Sequence, residues 1–201
     1  MSTLQDRKGN GIANKTSDEC YTPEYAVKLL LKYIPKSKTI WCPFDKEWSA
    51  YVKVFRQAGY NVIYSHIEDG KDFFKYEPEN YDLIVSNPPF SIADDILERL
   101  YKMDKPFMML LPLKYLQAKR RCEMFLENGI QLLTFDSRIG YFTKGEMDKP
   151  KEGNSQASSY FCWKILPKDF IIERLNKTGF KPKTKNKKSW VDVKFTEEDF
   201  L

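Results

Sequence analysis

Alternation between strand-length apolar runs and helix-length amphipathic stretches is the feature that most constrains the fold of this chain. Runs typical of strands lie at 38–42, 61–65, 81–85, 107–111 and 131–135. Patterns typical of helices lie at 25–34, 47–58, 93–103 and 115–128. Strands separated by helices of this length favour a parallel sheet with helices on both faces, because each parallel connection has to cross over the sheet. The sequence therefore predicts an α/β domain with a mostly parallel sheet.

Local signals predict where the first helix begins and add one further helix near the other end of the chain. Thr22 is expected to be the N-cap of the first helix, with Pro23 at the first helical position and Glu24 in the first turn. Near the other end, the mixture of apolar and charged residues at 168–175 indicates a further helix.

Composition excludes several classes of protein. The chain has 201 residues, of which 42% are hydrophobic and 15% aromatic, so it is not a disordered chain. No run approaches the ~18 apolar residues of a membrane span, and the polar start is not typical of a signal peptide. The four cysteines lack C-x-x-C spacing and there is one histidine, so we expect no metal site, no disulfide framework and a cytoplasmic location.

The five residues SNPPF at 86–90 directly follow one of the predicted strands. Proline has no backbone N–H, so two prolines end strand pairing and leave a rigid turn. The Asn87 side-chain carbonyl and the Pro88 backbone carbonyl can then converge as two acceptors, with the flat ring of Phe90 beside them. Parallel sheets bind ligands at the carboxyl ends of their strands, so this turn is a candidate site for a planar ligand with an NH2 group, such as a nucleobase. A plain strand end with a core phenylalanine is the alternative.

SNPPF resembles motif IV, the D/N/S-P-P-Y/F/W pattern of the S-adenosylmethionine-dependent amino methyltransferases. The resemblance implies that Asn87, Pro88, Pro89 and Phe90 are catalytic. The Asn side chain and the first proline carbonyl would hold the hydrogens of the target amine, and the aromatic ring would stack on the base. Acceptors on those hydrogens stabilise the positive charge that develops on the nitrogen during methyl transfer. The resemblance also implies S-adenosyl-L-methionine as cofactor and a Rossmann-like class I methyltransferase fold, with a twisted, mostly parallel sheet between two layers of helices.

Three further segments resemble DNA adenine methyltransferases of the phage type, and the matches together span roughly 18–166. DECYTP at 18–23 resembles a D-E-W-x-T-P stretch that caps the cofactor's methionine end, which implies cofactor contacts from Tyr21, Thr22 and Pro23. DGKDFF at 69–74 resembles a segment whose acid, here Asp72, accepts a hydrogen bond from the cofactor's adenine. The stretch 153–163 resembles a small-residue turn and closing hairpin. An N-capped helix and a solvated turn are the alternatives for the first two.

The glycine-rich cofactor loop of that family is missing. Where the family carries D-P-F-x-G-x-G, this chain has CPFDKEW at 42–48, so Cys42 stands in place of the acid while Pro43 and Phe44 are kept. Asp45, three positions further on, is the candidate replacement for the acid. We expect the bulky residues at 46–48 to crowd the cofactor and to weaken its binding.

The acid that usually binds the ribose directly after the next strand is also missing. His66 or Glu68 is the candidate replacement, and a surface or packing role is the alternative for His66. These departures leave open a non-catalytic protein of methyltransferase fold that binds nucleic acid or a partner protein. Intact SNPPF argues against that alternative.

DNA is the expected partner, because the DECYTP opening and its early position match the DNA adenine enzymes. N-P-P-F also occurs in enzymes that act on RNA amines and on a glutamine amide of release factors, so RNA adenine or guanine amines remain an alternative. Basic residues that could follow a phosphate backbone lie in the loop at 138–153 and in the tail, where Phe180 and Trp190 are interleaved. They are Lys144, Lys181, Lys183, Lys185, Lys187 and Lys188. A solvated tail is the alternative.

The domain organisation predicted from these segments is simple. A methyltransferase catalytic domain covers 1–166, and a basic C-terminal extension of the same domain covers 167–201. By the family resemblance alone, a chain of this size fits a phage or mobile-element methylase that protects DNA from restriction.

Overall fold

The structure of the protein, a computed structural model, describes residues 20–143, 146–151 and 157–177, of which 143 and 146–151 are described by their backbone. The strands in these residues are β1 Cys20–Tyr21, β2 Thr39–Cys42, β3 Asn61–Tyr64, β4 Leu83–Ser86, β5 Phe107–Pro112, β6 Gln131–Phe135, β7 Tyr141–Thr143, β8 Glu146–Lys151, β9 Ser158–Trp163 and β10 Phe170–Glu173. The α-helices are α1 Glu24–Lys28, α2 Ala50–Gln57, α3 Ala93–Met103 and α4 Lys119–Asn128. Short 3-10 helices lie at Leu29–Lys32, Ile67–Asp69, Phe90–Ile92 and Leu113–Leu116.

Seven strands form the main sheet in the order β3-β2-β4-β5-β9-β6-β10. Strand β9 runs antiparallel to both of its neighbours, and every other pair in this sheet is parallel. The mostly parallel sheet with crossover helices confirms the predicted Rossmann-like class I methyltransferase fold.

Two apolar cores cover the two faces of the sheet, because successive residues of a strand point to opposite faces. Ile40 and Cys42 of β2 pack on one face together with residues of α1 and α2. Trp41, between them, packs on the other face together with residues of α3. All six residues of β5 are buried, which is typical of a central strand covered on both sides. The helices therefore cover both faces and leave the strand ends open for a site.

The order of the strands places a crevice beside SNPPF. The chain runs from β2 through α2 to β3, and then returns past β2 to β4 on its other side. Connections that leave two adjacent parallel strands in opposite directions create a crevice at the carboxyl ends of those strands. Here the crevice lies between the end of β2 at Cys42 and the end of β4 at Ser86.

A second, three-stranded sheet has the order β1-β7-β8, with antiparallel pairing throughout. Cys20 pairs with Thr143, and Tyr21 pairs with Phe142. Part of the loop predicted to contact the substrate is therefore a β-hairpin that holds β1 in place.

The start of the first helix differs from the prediction. Pro23 occupies the N-cap position in an extended conformation, and no side chain caps the helix, so the prediction of Thr22 as the N-cap was wrong. The α-helix is five residues long and continues as the 3-10 helix Leu29–Lys32.

The prediction of a helix at 168–175 was also wrong, because this segment contains strand β10. Phe170 pairs with Leu132 and Ile172 pairs with Thr134 in a parallel register with β6. The alternation of the segment fits a strand that exposes Phe170 and Ile172 on one face and packs Ile171 against the core on the other. Pairing with β6 supplies the backbone hydrogen bonds that a helix would otherwise provide.

The sequence predicts neither a membrane-spanning segment nor a metal site, and the described residues can be compared with both predictions. No helix in residues 20–143, 146–151 and 157–177 combines the length and the apolar content that crossing a membrane requires. Within the same ranges, no group of three or more His, Cys, Asp or Glu side chains is arranged to hold a metal ion.

Candidate active site

Asn87 presents a buried acceptor at the carboxyl end of β4. Its side-chain Nδ2 donates a hydrogen bond to the backbone carbonyl of Cys20, at 3.0 Å. Only the amide nitrogen can face a carbonyl in this way, so the contact fixes which way the amide points. The other atom, Oδ1, is buried and has no hydrogen-bond partner among the described residues. A buried carbonyl without a donor costs about 1–3 kcal/mol, so the position is suited to a donor that a ligand brings.

Phe90 is held from the β5 side of the site. The hydroxyl of Tyr115 donates to the backbone carbonyl of Phe90 at 2.6 Å, and the two ring centroids are 6.4 Å apart. The Arg121 guanidinium lies 4.4 Å from the centroid of the Tyr115 ring and donates to Asp94, in the first turn of α3. The turn after Pro89 is therefore linked through Tyr115 to Arg121 of α4, and Arg121 is in turn bound to α3. Phe90 itself stays partly exposed and Pro88 is buried.

Tyr115 is a site residue that the sequence interpretation missed. It belongs to the 3-10 helix Leu113–Leu116, directly after the carboxyl end of β5, and β5 is the neighbour of β4. An aromatic residue just past the end of a buried strand was the available signal, but the helix predicted at 115–128 concealed it.

Asp45 is the buried acid of the loop after β2. The Ser86 hydroxyl donates to its carboxylate at 2.5 Å, and the Asp45 backbone N–H donates to the carbonyl of Ser65 at 3.2 Å. Burial raises the pKa of Asp45 to about 6, although hydrogen bonds from Ser86 and Ser49 act in the opposite direction. The carboxylate thus links the loop to the strand that carries Asn87.

Cys42 stands where the resemblance places an acid, but its environment is apolar. The thiol is fully buried on the face covered by α1 and α2, and burial raises its pKa well above the ordinary value. Asp45, the candidate replacement for the missing acid, is in contact with the end of β4 through Ser86. Pro43 is buried, and Phe44 packs against Phe73 with ring centroids 4.9 Å apart.

Each bulky residue of the glycine-free loop contacts a different element. Lys46 forms an ion pair with Glu68, which follows β3. This pair links the loop after β2 to the 3-10 helix Ile67–Asp69 after β3. Glu47 pairs with Arg56 of α2 at 3.2 Å.

Trp48 is the third bulky residue of this loop, and it packs against Tyr21 of β1. The ring centroids are 5.0 Å apart and the ring planes are inclined by 77°. Tyr21 follows Cys20, whose carbonyl orients Asn87. We define the strand-end cluster as six residues joined by these contacts and by the loop that carries both Asp45 and Trp48: Cys20, Tyr21, Trp48, Asp45, Ser86 and Asn87.

Four predicted cofactor residues remain, of which Asp72 and His66 have local hydrogen-bond partners. Thr22 and Pro23 are buried beside the cluster. A carboxylate oxygen of Asp72 accepts from the backbone N–H of Phe74 at 3.0 Å, which stabilises the turn. His66 Nδ1 accepts from the backbone N–H of Glu68 at 3.2 Å and caps the 3-10 helix Ile67–Asp69.

The lysines predicted to bind nucleic acid lie outside the described residues: Lys144, Lys181, Lys183, Lys185, Lys187 and Lys188. The last described residues contact the segment after β6. After β10, the backbone N–H of Leu175 donates to Asp136, and Lys177 donates to the carbonyl of Arg138 at 2.7 Å. Both acceptors follow β6, so Lys177 lies at the carboxyl edge of the sheet, the edge that carries Asn87.

Comparisons with known proteins add similarities in structure but no match in sequence. No protein-family model and no curated protein sequence matches this chain. A dimethyladenosine transferase from Plasmodium falciparum is 12% identical, with a TM-score of 0.43, over 75% of this chain and 63% of its own. The chain thus spans less than two thirds of the length of that enzyme. A proposed methyltransferase from Thermoplasma acidophilum is 11% identical, with a TM-score of 0.34, over 72% of this chain and 74% of its own. Similarities at this level do not say what the chain acts on.

Proposed function

We propose that this protein is a methyltransferase that moves a methyl group from S-adenosyl-L-methionine to the exocyclic amine of adenine in DNA. The observation that carries the proposal is the buried Oδ1 of Asn87, an acceptor without a donor among the described residues, at the carboxyl end of β4. An aromatic ring, Phe90, lies three residues further along the same turn.

The acceptor suits a weakly nucleophilic amine. The lone pair of an exocyclic amine is delocalised into the ring, so the nitrogen becomes a better nucleophile when its hydrogens are held by acceptors. Asn87 Oδ1 can accept one of these hydrogens, and the Pro88 carbonyl is the candidate acceptor for the other. Both oxygens would stabilise the positive charge that develops on the nitrogen. Anchorage of the amide to Cys20 keeps Oδ1 in place before the substrate arrives.

The residues around the crevice fit the cofactor that this reaction needs. When bound, S-adenosyl-L-methionine supplies a methyl group activated by its sulfonium. Asp45 provides a carboxylate at the end of β2, and Tyr21 and Asp72 are the further candidates for holding the cofactor. Lys46 is held by Glu68 and Glu47 pairs with Arg56, so these two side chains leave more room than their size suggests.

DNA as the substrate class is supported by the DECYTP resemblance and by the basic tail. Lys177 starts the tail at the carboxyl edge of the sheet. Lys183 lies six residues further along, a reach of up to ~20 Å for an extended chain. Substrate adenine would have to leave the duplex to reach Phe90, so an unpaired or mismatched adenine is expected to bind better than a paired one.

The experiment that tests the proposal offers duplex DNA, transfer RNA and ribosomal RNA to the protein with a labelled methyl donor. The modified nucleoside is then identified by mass spectrometry. Labelled methyladenine in DNA supports the proposal, whereas label confined to RNA or to protein glutamine contradicts it.

A tail variant tests the phosphate contacts separately. Alanine at Lys183, Lys185, Lys187 and Lys188 is expected to weaken DNA binding for every sequence tested. It should also reduce the salt dependence of affinity by up to ~0.9 per lost phosphate contact. Sequence preference should survive, since phosphate contacts do not distinguish bases. If the salt dependence of DNA affinity is the same in this variant as in the wild type, the tail makes no phosphate contacts.

A further inference from the structure

Trp48 is a large aromatic residue that lies exposed on the surface instead of packing in the core. Its side chain is 44% exposed, although it belongs to a loop whose Asp45 is buried. It contacts Tyr21 edge to face, at 5.0 Å and 77°. Two rings at nearly a right angle form two walls of a corner, the arrangement in which aromatic side chains bind organic cations through their negative ring faces.

The corner belongs to the strand-end cluster. On one side, Tyr21 is joined through Cys20 to Asn87, which carries the free acceptor. On the other side, Trp48 lies three residues after Asp45 in the same loop, and Asp45 accepts a hydrogen bond from Ser86, the residue before Asn87. The corner is thus joined to the end of β4 twice, through the Cys20 carbonyl and through the loop that carries Asp45.

The charges around the corner favour a cation. The Asp45 carboxylate is the buried acid of the cluster. The nearby cations are neutralised, since Lys46 pairs with Glu68 and Arg56 pairs with Glu47. An acid and two aromatic rings thus lie around the crevice, and the neighbouring positive side chains are bound to carboxylates.

We propose that Trp48 and Tyr21 form a subsite that recognises the positive charge of a sulfonium ligand, in place of the contacts that a glycine loop would make. The inference rests on the proposed function, because the sulfonium is the one carried by the methyl donor. It assigns Trp48 a role that neither SNPPF nor the other matched segments suggest.

The test measures binding by isothermal titration calorimetry, with no methyl transfer required. The two ligands are S-adenosylmethionine, which has a positive sulfonium, and S-adenosylhomocysteine, which has a neutral thioether and is otherwise nearly identical. Trp48→Leu removes the aromatic ring and keeps an apolar side chain, while Trp48→Phe keeps a ring. Phe170→Leu is the matched control, because Phe170 is 57% exposed on β10, at the far edge of the sheet.

The expected result is a selective loss. Trp48→Leu should weaken S-adenosylmethionine binding by about 2- to 30-fold and leave S-adenosylhomocysteine binding nearly unchanged. Trp48→Phe should restore much of the difference, and Phe170→Leu should change neither ligand.

Other outcomes overturn the proposal in distinguishable ways. If Trp48→Leu weakens the binding of both ligands equally, Trp48 packs against the ligand but does not recognise its charge. If neither affinity changes, the corner is not part of the site. If the wild-type protein binds neither ligand, with or without DNA, the proposed function fails together with the inference.

Discussion

Asn87→Ala is expected to change activity and stability differently, and the contacts of Asn87 allow the change in the free energy of unfolding to be estimated. The substitution removes the hydrogen bond from Nδ2 to Cys20, worth about 0.5–1.5 kcal/mol, and it also removes the buried, unpaired Oδ1, which costs about 1–3 kcal/mol. The free energy of unfolding should therefore change by between a loss of about 0.5 and a gain of about 2.5 kcal/mol. The folded protein is not expected to depend on Asn87.

Activity should respond in the opposite direction. Removal of one preorganised hydrogen-bonding group from a transition-state site typically lowers kcat by about 10²–10³-fold, which corresponds to about 2.7–4 kcal/mol. We expect a fall of at least this size, because in the proposed reaction the Asn87 acceptor would hold a hydrogen of the reacting nitrogen itself. A stable protein that is nearly inactive would show that the buried acceptor is kept for function at the expense of stability.

The assay pairs methyl incorporation into DNA, under single-turnover conditions, with urea unfolding of the same preparation. Asn128→Ala is the control, since Asn128 also donates from Nδ2 to a backbone carbonyl, at 2.9 Å to Met124, but on an exposed helix end. Full activity of a folded Asn87→Ala protein would refute the assignment. A loss of more than about 2 kcal/mol of stability would instead show that Asn87 holds the fold together, since the expected loss does not exceed about 0.5 kcal/mol.

Three further perturbations test the contacts around the site. Burial raises the Asp45 pKa to about 6, so charging this group lowers the stability of the folded protein as the pH rises from about 4 to about 6. The free energy of unfolding of Asp45→Asn should therefore exceed that of the wild type by up to about 3 kcal/mol above pH 6 and by nothing below about pH 4. If urea unfolding gives the same difference between the two proteins at every pH in this range, the burial argument is contradicted. Tyr115→Phe removes the hydrogen bond to the Phe90 carbonyl and should weaken substrate binding by about 0.5–1.5 kcal/mol, whereas Tyr101→Phe, which loses a similar bond to Gly129, should leave substrate affinity unchanged. Phe90→Ala should weaken binding of an unpaired adenine by ~1–3 kcal/mol and Phe90→Trp should retain most of it; equal affinities of the two variants would make Phe90 a core residue.

The sequence by itself determined the fold class and the place of the SNPPF turn. Alternating apolar runs and amphipathic stretches allow few arrangements other than a parallel sheet with crossover helices, and SNPPF had to end a strand because Pro88 and Pro89 donate no backbone hydrogen bonds. These are local properties of a few consecutive residues. For that reason, β2 to β6 lie within one or two residues of their predicted positions.

Segments at the margin of the sheet could not be assigned locally. The stretch at 168–175 has a mixed pattern, and it is the open edge of β6 that makes Phe170–Glu173 a strand. The reversal of β9 between β5 and β6 likewise depends on which strands are already neighbours. Such pairing is decided by the assembled sheet, because edge hydrogen bonds are available only once the neighbouring strand is in place.

Only the tertiary structure decided how the site residues are oriented. Asn87 takes its orientation from Cys20, 67 residues earlier in the chain, and Asp45 meets Ser86 across 41 residues. The same holds for Lys46, whose partner Glu68 lies 22 residues further along the chain, after β3. Residue types predict what a side chain can donate or accept, but the order of the strands determines which partner it meets, and with it which acceptor is left for a ligand.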